Sequence, residues 1–278
     1  MSDEEPAYFP RSGLLLHLAG PLQSWGEKSR FNERDTARFP TRSGVIGMIA
    51  AALGRRRTEP IDDLRRLRIA VRTDREGTVL RDFHTVGGGM PNKLTVVTAE
   101  GKRRPGDTGT LVSHRYYLQD AAFTVAITAA DEDGRLLAEC EAALAVPVWP
   151  PYLGRRSCPP VGPVLLGRFN DAWRSLTHLP LHDLPPTGRH TPPVVFRADG
   201  PLQGLPIPPD CAFEGREAPS QLTDEPVSFA TLDRQYLSRT VYQRAVQMAS
   251  HCYAGRGTAY LDKLHDYLEA NAQQEMNQ

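Results

Sequence analysis

The order of six short apolar segments constrains the fold of this 278-residue chain more than any other feature. Gly13-Leu-Leu-Leu-His-Leu-Ala19 is an apolar run ending at Gly20-Pro21, and it reads as a buried strand. A helix is expected from about 44 to 53, with Thr41 or Ser43 as its cap and Gly54 as its stop. Its residues, Val-Ile-Gly-Met-Ile-Ala-Ala-Ala-Leu, are apolar on nearly all sides, so it must be buried. Arg38 and Arg42 lie beside its start, a setting that suits an anion. Residues 67–73 alternate as a second strand, 121–129 form a third, 136–145 a second helix and 161–166 a fourth strand. Strand, helix, strand, strand, helix, strand is the order of an α+β, ferredoxin-like (RRM-like) unit, with four antiparallel strands and two helices on one face. Such a sheet commonly serves as a platform for single-stranded RNA.

Four stretches fall outside that unit. Residues 1–12 read as a flexible leader, and Met1 to Pro10 carry no signal-peptide pattern. An excursion from about 78 to 117 interrupts the unit that otherwise fills 13–169. It reads as a protruding hairpin or loop, with strand-like pieces at 93–98 and 110–118 around a basic tip, Gly101-Lys-Arg-Arg-Pro-Gly106. Residues 170–221 are Pro-rich and read as an irregular connection. Residues 222–278 form a smaller C-terminal region: a strand ending near Tyr242, then a terminal helix over 258–272 with Leu261, Leu264 and Leu268 on one face. Gly and Pro, 23 and 24 residues, exceed the usual share of about 12%, which favours long loops over a helical bundle.

Lys and Arg balance Asp and Glu at 33 each, yet residues 28–115 hold 19 cations against 10 acids. That regional excess points to a localised anionic partner. Only four cations are lysines, so arginine-rich genome composition accounts for part of the pattern. No apolar run approaches the roughly 20 residues that span a bilayer. Cys140, Cys158, Cys211 and Cys252 form no C-x-x-C pair and read as free thiols of a cytoplasmic chain. His178 and His182 are four apart but straddle Pro180, and His190 lies in a Pro-rich stretch, so neither a metal nor a cofactor is expected. There is no G-x-S-x-G elbow.

Chemistry concentrates in four clusters. Gln23-Ser24-Trp25-Gly26 is followed by Lys28, Arg30, Arg34, Arg38 and Arg42, which suits joint phosphate and base contact. A core tryptophan beside a solvated arginine loop would look the same. Asp82-Phe-His84-Thr85 leads into three glycines whose backbone could approach phosphates, without a dinucleotide or Walker spacing. The tip Lys102, Arg103 and Arg104, with Ser113-His-Arg115-Tyr-Tyr117 on the return arm, interleaves cations and aromatics as single-strand binders do. Tyr152-Leu153-Gly154-Arg155-Arg156-Ser157 is a compact anion-binding loop, and Cys158 after it reads as a packed thiol.

These segments carry a specific resemblance. His17-Leu-Ala-Gly-Pro-Leu-Gln-Ser-Trp-Gly26, Arg38-Phe-Pro-Thr-Arg-Ser-Gly44, Arg81-Asp-Phe-His-Thr85 and Pro151-Tyr-Leu-Gly-Arg-Arg-Ser-Cys-Pro159 resemble the CasD family, as do Asp224-Glu-Pro-Val-Ser-Phe229 and Arg234-Gln-Tyr-Leu-Ser-Arg239. That family belongs to the repeat-associated RNA-binding superfamily and holds the 5′ handle of the guide RNA in the type I-E CRISPR complex Cascade. The resemblance implies a ferredoxin-like palm with an inserted β-hairpin thumb, here residues 78–117. It implies as partners the crRNA 5′ handle, the neighbouring backbone subunit and the large subunit, with target DNA met only through the complex and no membrane. Carried over, the handle contacts are Gln23, Ser24, Trp25, Gly26, Arg38, Thr41, Arg42, Ser43, His84, Thr85, Arg115 and residues 152–157. Lys102, Arg103 and Arg104 match no family motif and are added on charge alone.

The resemblance implies a non-catalytic subunit of antiviral defence. The alternative is a metal-independent endoribonuclease acting on CRISPR repeat RNA, for which His17, His84, His114, Tyr116 and Tyr117 are the general acid and base candidates. His17, on the apolar first strand, reads rather as a satisfied core residue. A third reading is a scaffold whose RNA contact is incidental.

Overall fold

The computed structural model describes residues 12–26, 32–87, 90–98, 101–104, 109–129, 134–187, 192–231 and 233–276. Residues 1–11 of the leader, Lys28, Arg30, Gly88, Gly89, Gly106 and His190 lie outside the described residues. The elements in chain order are β1 (Gly13–Ala19), β2 (Leu22–Gln23), β3 (Glu33–Arg34), α1 (Arg42–Ala52), β4 (Leu67–Arg75), β5 (Thr78–Val86), β6 (Leu111–Gln119), β7 (Ala122–Ala129), α2 (Arg135–Ala145), β8 (Leu165–Phe169), α3 (Ala172–His178), β9 (Val194–Ala198), β10 (Ala212–Ser228), β11 (Gln235–Gln247) and α4 (Thr258–Met276). Seven strands form one antiparallel sheet in the order β10-β11-β9-β4-β7-β1-β8. Its β8-β1-β7-β4 half is linked by α1 and α2, so the strand–helix alternation read from the sequence is the one observed.

Period-two side-chain placement gives this sheet two buried faces. Leu14, Leu16 and Leu18 of β1, Ile69 and Val71 of β4, and Phe123, Val125 and Ile127 of β7 pack with α1 and α2. Leu15, Ala70 and Ala126 point the other way, onto Ala172 and Leu176 of α3 and Tyr260 and Leu264 of α4. Each fully buried aliphatic side chain contributes about 1.5–3 kcal/mol. Both faces of the β8-β1-β7-β4 half are therefore covered, so these strands present no open sheet face.

Arg72 ties the second layer to the sheet. Fully buried, it pairs with Asp74 at 2.7 Å and donates to the carbonyls of Leu176 (2.8 Å), Leu179 (2.5 Å) and Pro180 (3.0 Å). The guanidinium thus satisfies free carbonyls at the C-terminal end of α3.

Two expectations change. The fourth strand starts at Leu165 rather than 161, because Pro159, Pro160 and Pro163 deny the earlier stretch its ladder donors. Residues 170–221 are not an irregular connection, since they hold α3, β9 and half of β10. The proline pairs sit between these elements as punctuation, and Pro219 and Pro226 inside β10 are tolerated because β10 is the sheet edge. The excursion is a hairpin: β5 and β6 pair from Thr78↔Gln119 to Val86↔Leu111. Its tip holds one turn of 3₁₀ helix at Asn92–Leu94 and a bridge between Val97 and Arg103, in place of a strand over 93–98. Among the described residues no helix is long and apolar enough to cross a membrane.

Candidate nucleic-acid interface

Three of the singled-out segments build one another. The Gln23 amide is fully buried; its Nε2 donates to the carbonyls of Leu18 (3.1 Å) and Ala121 (2.8 Å), and its Oε1 accepts from Trp25 Nε1 at 3.0 Å. This fixes the indole against α1, where Gly44 leaves room for it: a Cβ there would come within 2.7 Å of the ring. Ser24 N donates to the Leu153 carbonyl at 3.0 Å, and Gly154, at φ +83°, lies against Ser24. The 152–158 loop closes on itself through Leu153 N to Cys158 O at 2.7 Å and Cys158 N to Arg155 O at 2.9 Å.

Above this floor opens a cleft of about 970 Å³. Ser24, Trp25 and Gly26 form its base with Thr41, Ser43 and Gly44 of the α1 start. Arg55, Arg56 and Arg57, Trp149, Tyr152, Gly154 and Arg156, and finally Phe229, Arg234 and Tyr236 make its walls. Among the described residues five arginines and no carboxylate line it; Arg55 pairs with Asp63, Nη1 at 2.6 Å, and Arg234 bonds the Tyr236 hydroxyl. Trp149 is 43% exposed, so a flat apolar face is open to solvent. Burial pushes the Tyr236 hydroxyl up, while the guanidiniums of Arg234 and Arg57 pull it the other way. Interleaved cations and aromatic rings suit phosphates and unstacked bases together.

Of the expected contacts, Ser24, Trp25, Gly26, Thr41, Ser43, Tyr152, Gly154 and Arg156 meet in this cleft. Gln23, Arg42 and Leu153 do not line it; their side chains are buried inside the protein. Arg42 is 3% exposed; it pairs with Asp199 and Glu225 and donates to the carbonyls of Leu67 (2.9 Å) and Arg65 (2.7 Å). The anion expected at the α1 N-terminus is a residue of the chain itself, Asp224 of β10, which accepts from Arg42 N at 2.7 Å. Arg155 turns away, over the Tyr117 ring at 4.8 Å with Nη2 on the Arg34 carbonyl at 2.9 Å. Ser157 and Arg38 are exposed but line no part of the cleft.

His84, Thr85, Lys102, Arg103, Arg104 and Arg115 all lie on the β5–β6 hairpin, apart from the cleft lining. His84 sits 3.4 Å from Asp82, and Arg103 donates to the Thr95 carbonyl at 2.8 Å. His17 is in the interior, its Nε2 3.0 Å from His182 Nδ1, and burial lowers its pKa to about 4. Cys158 is buried, and desolvation raises its thiol pKa. Among the described residues no group of three His, Cys, Asp or Glu could hold a metal ion.

Sequence reasoning missed Arg55–Arg57, Trp149 and Phe229, and gave Arg234 and Tyr236 no role. Trp149 stands two residues before the Pro151–Pro159 motif, Phe229 ends the Asp224–Phe229 motif, and Arg234 and Tyr236 stand inside the Arg234–Arg239 motif, so a signal was present for these four.

Known proteins place this architecture. A family model described as CRISPR-associated protein (Cas_Cas5) matches residues 13–242, and the chain belongs to that family. Within it, the chain is 39% identical over 168 residues to the Escherichia coli (strain K12) CRISPR system Cascade subunit CasD, covering 56% of this chain and 71% of that protein. A chain from a solved CRISPR RNA-guided surveillance complex is 40% identical with a TM-score of 0.74, covering 92% of this chain and 99% of its own length. A second solved structure, of a Cas protein, has a TM-score of 0.55 at 30% identity, covering 88% and 98%. The resemblance carried by the sequence motifs therefore stands.

Proposed function

We propose that this chain is a non-catalytic, RNA-binding subunit of a cytoplasmic CRISPR surveillance complex in antiviral defence, and that its cleft seats the 5′ handle of the crRNA. The observation that carries this reading is the lining: Arg56, Arg57, Arg156 and Arg234 surround Trp149, Tyr152 and Tyr236 with no carboxylate among them. The β8-β1-β7-β4 half of the sheet is the ferredoxin-like palm, and β5–β6 is the thumb. The thumb meets the neighbouring backbone subunit, the large subunit docks nearby, and target DNA is met only through the complex. A non-catalytic cleft is supported by the placement of the candidate acids and bases: among the described residues His84, His114, Tyr116 and Tyr117 lie on the β5–β6 hairpin, outside the cleft lining, and His17 is bonded to His182 in the interior.

The test is incubation of the purified chain with labelled repeat RNA in chelator, followed on a denaturing gel and by binding at 50 and 200 mM salt. Intact RNA is expected. Four phosphate contacts give a log–log salt slope of about −3, or roughly 50-fold weaker binding across that range. Site-specific cutting would overturn the non-catalytic reading, and salt-independent or absent binding would overturn the RNA seat.

A further inference from the structure

We infer that a buried acid–guanidinium network braces the far wall of the cleft, so that three carboxylates of this chain strengthen its RNA binding. The inference rests on the reading of the cleft as an RNA seat. Phe229, Arg234 and Tyr236 stand at the turn end of the β10–β11 hairpin. The sheet holds that hairpin only through Tyr242–Val246 of β11, which pair with β9. From 218 to 241 the two strands pair with each other alone, so something else must fix the turn end against α1.

Six charged residues meet at that seam. Asp224 Oδ2 accepts from Arg42 N at 2.7 Å, and Arg239 donates to Asp224 and Asp199, each at 2.6 Å. Glu225 takes both Arg42 and Arg65, the latter at 3.0 Å. Asp199 closes the ring through Arg42 and through Ile69 N at 2.8 Å. Neighbours in a regular strand face opposite ways. Asp224 and Glu225 both face α1 because the β10–β11 register shifts between Leu222 and Glu225 and again between Pro226 and Ser228. Beside the network lies an opening of about 500 Å³, so charges bridge the hairpin and the body where apolar packing does not. Phe229 reaches across, its Cζ 3.6 Å from where a Gly47 Cβ would stand.

Removing an acid near a nucleic-acid site ordinarily strengthens binding by cutting repulsion. The brace predicts the opposite sign. Glu225→Gln, in the full chain with labelled repeat RNA, is expected to weaken binding by about tenfold. In a Tyr236→Ala background the same change is expected to add less than about twofold, because the wall it positions is already lost. Amide exchange is expected to quicken at 233–240 and stay unchanged in β1 and β7. Arg65→Gln, a more exposed member, is read against Tyr236→Ala in the same way if Glu225→Gln fails to fold. Tighter or unchanged RNA binding in Glu225→Gln, or full additivity with Tyr236→Ala, overturns the brace. Loss of binding in Arg156→Ala and Tyr236→Ala tests the seat itself; if neither matters, the RNA reading of the cleft falls instead.

Discussion

Gly154 and Ser24 touch backbone to backbone: a Cβ on Gly154 would lie 1.7 Å from the Ser24 carbonyl oxygen. With φ at +83°, the position excludes side chains twice over, by conformation and by space. Gly154→Ala is expected to cost about 2–4 kcal/mol, the sum of left-handed strain and displacement of the loop. Urea denaturation checks the cost, and a variant within about 0.5 kcal/mol of the parent would show that the loops are not locked.

Arg42 supports the fold rather than facing a ligand. Arg42→Ala leaves Asp199 with Arg239 alone and Glu225 with Arg65 alone, and removing one side of a buried pair costs up to about 3–5 kcal/mol. The variant is expected to unfold at lower denaturant. Its remaining folded fraction is expected to bind RNA more weakly, as Glu225→Gln does, with the loss shrinking to less than about twofold in a Tyr236→Ala background, whereas a direct phosphate contact would add its full loss there.

RNA binding separates the cleft from the hairpin tip. Tyr236→Ala and Trp149→Ala are each expected to lose about 1–3 kcal/mol of stacking. Arg57→Ala and Arg156→Ala each lower the salt slope by about 0.7. Lys102→Ala leaves handle affinity at the parent value, because Lys102 lies outside the cleft lining. Equal losses at Lys102 and Arg156 would move the seat onto the hairpin.

Stability should fall on the acid side through His17. Burial lowers its pKa to about 4, so between pH 6.5 and 4 the unfolded chain takes up a proton that the folded chain refuses. Stability is fully present above pH 6.5 and is lost as pH falls toward 4, by up to about 3 kcal/mol from this group. His182, also lowered by burial, adds in the same direction. The His182 ring stacks on Tyr260 of α4 at 4.0 Å, so amide exchange in α4 should quicken first. His17→Gln should flatten the melting temperature across this range, and an unchanged slope would assign the effect elsewhere.

The α/β half was legible because its signals are local. Residues 13–19 form β1 as the apolar run bounded by Gly20-Pro21 requires, and Gly54 ends the helical path one residue after the Leu53 cap. The added strands were not legible. β10 is a largely exposed edge strand interrupted by prolines, and its pairing with β11 depends on a partner rather than on its own pattern. The cleft was half legible. Tyr152 and Arg156 sit in a compact motif, but Arg57 meets Arg234 and Tyr236 only after folding, across nearly 180 residues of chain. Arg42 shows the limit: an arginine at a helix start has the same neighbours in sequence whether it faces a phosphate or Asp199.

The carboxylate that completes the start of α1 is 182 residues downstream of it. At synthesis rates of about 5–20 residues per second, the helix waits roughly 10–40 s for Asp224 to be made. During that interval α1 packs on β1, β4, β7 and α2 as these are made, while its first backbone N–H waits for a carboxylate. A nascent chain halted before β10 therefore lacks the far wall of the cleft, which comes into being only once Phe229, Arg234 and Tyr236 have been made.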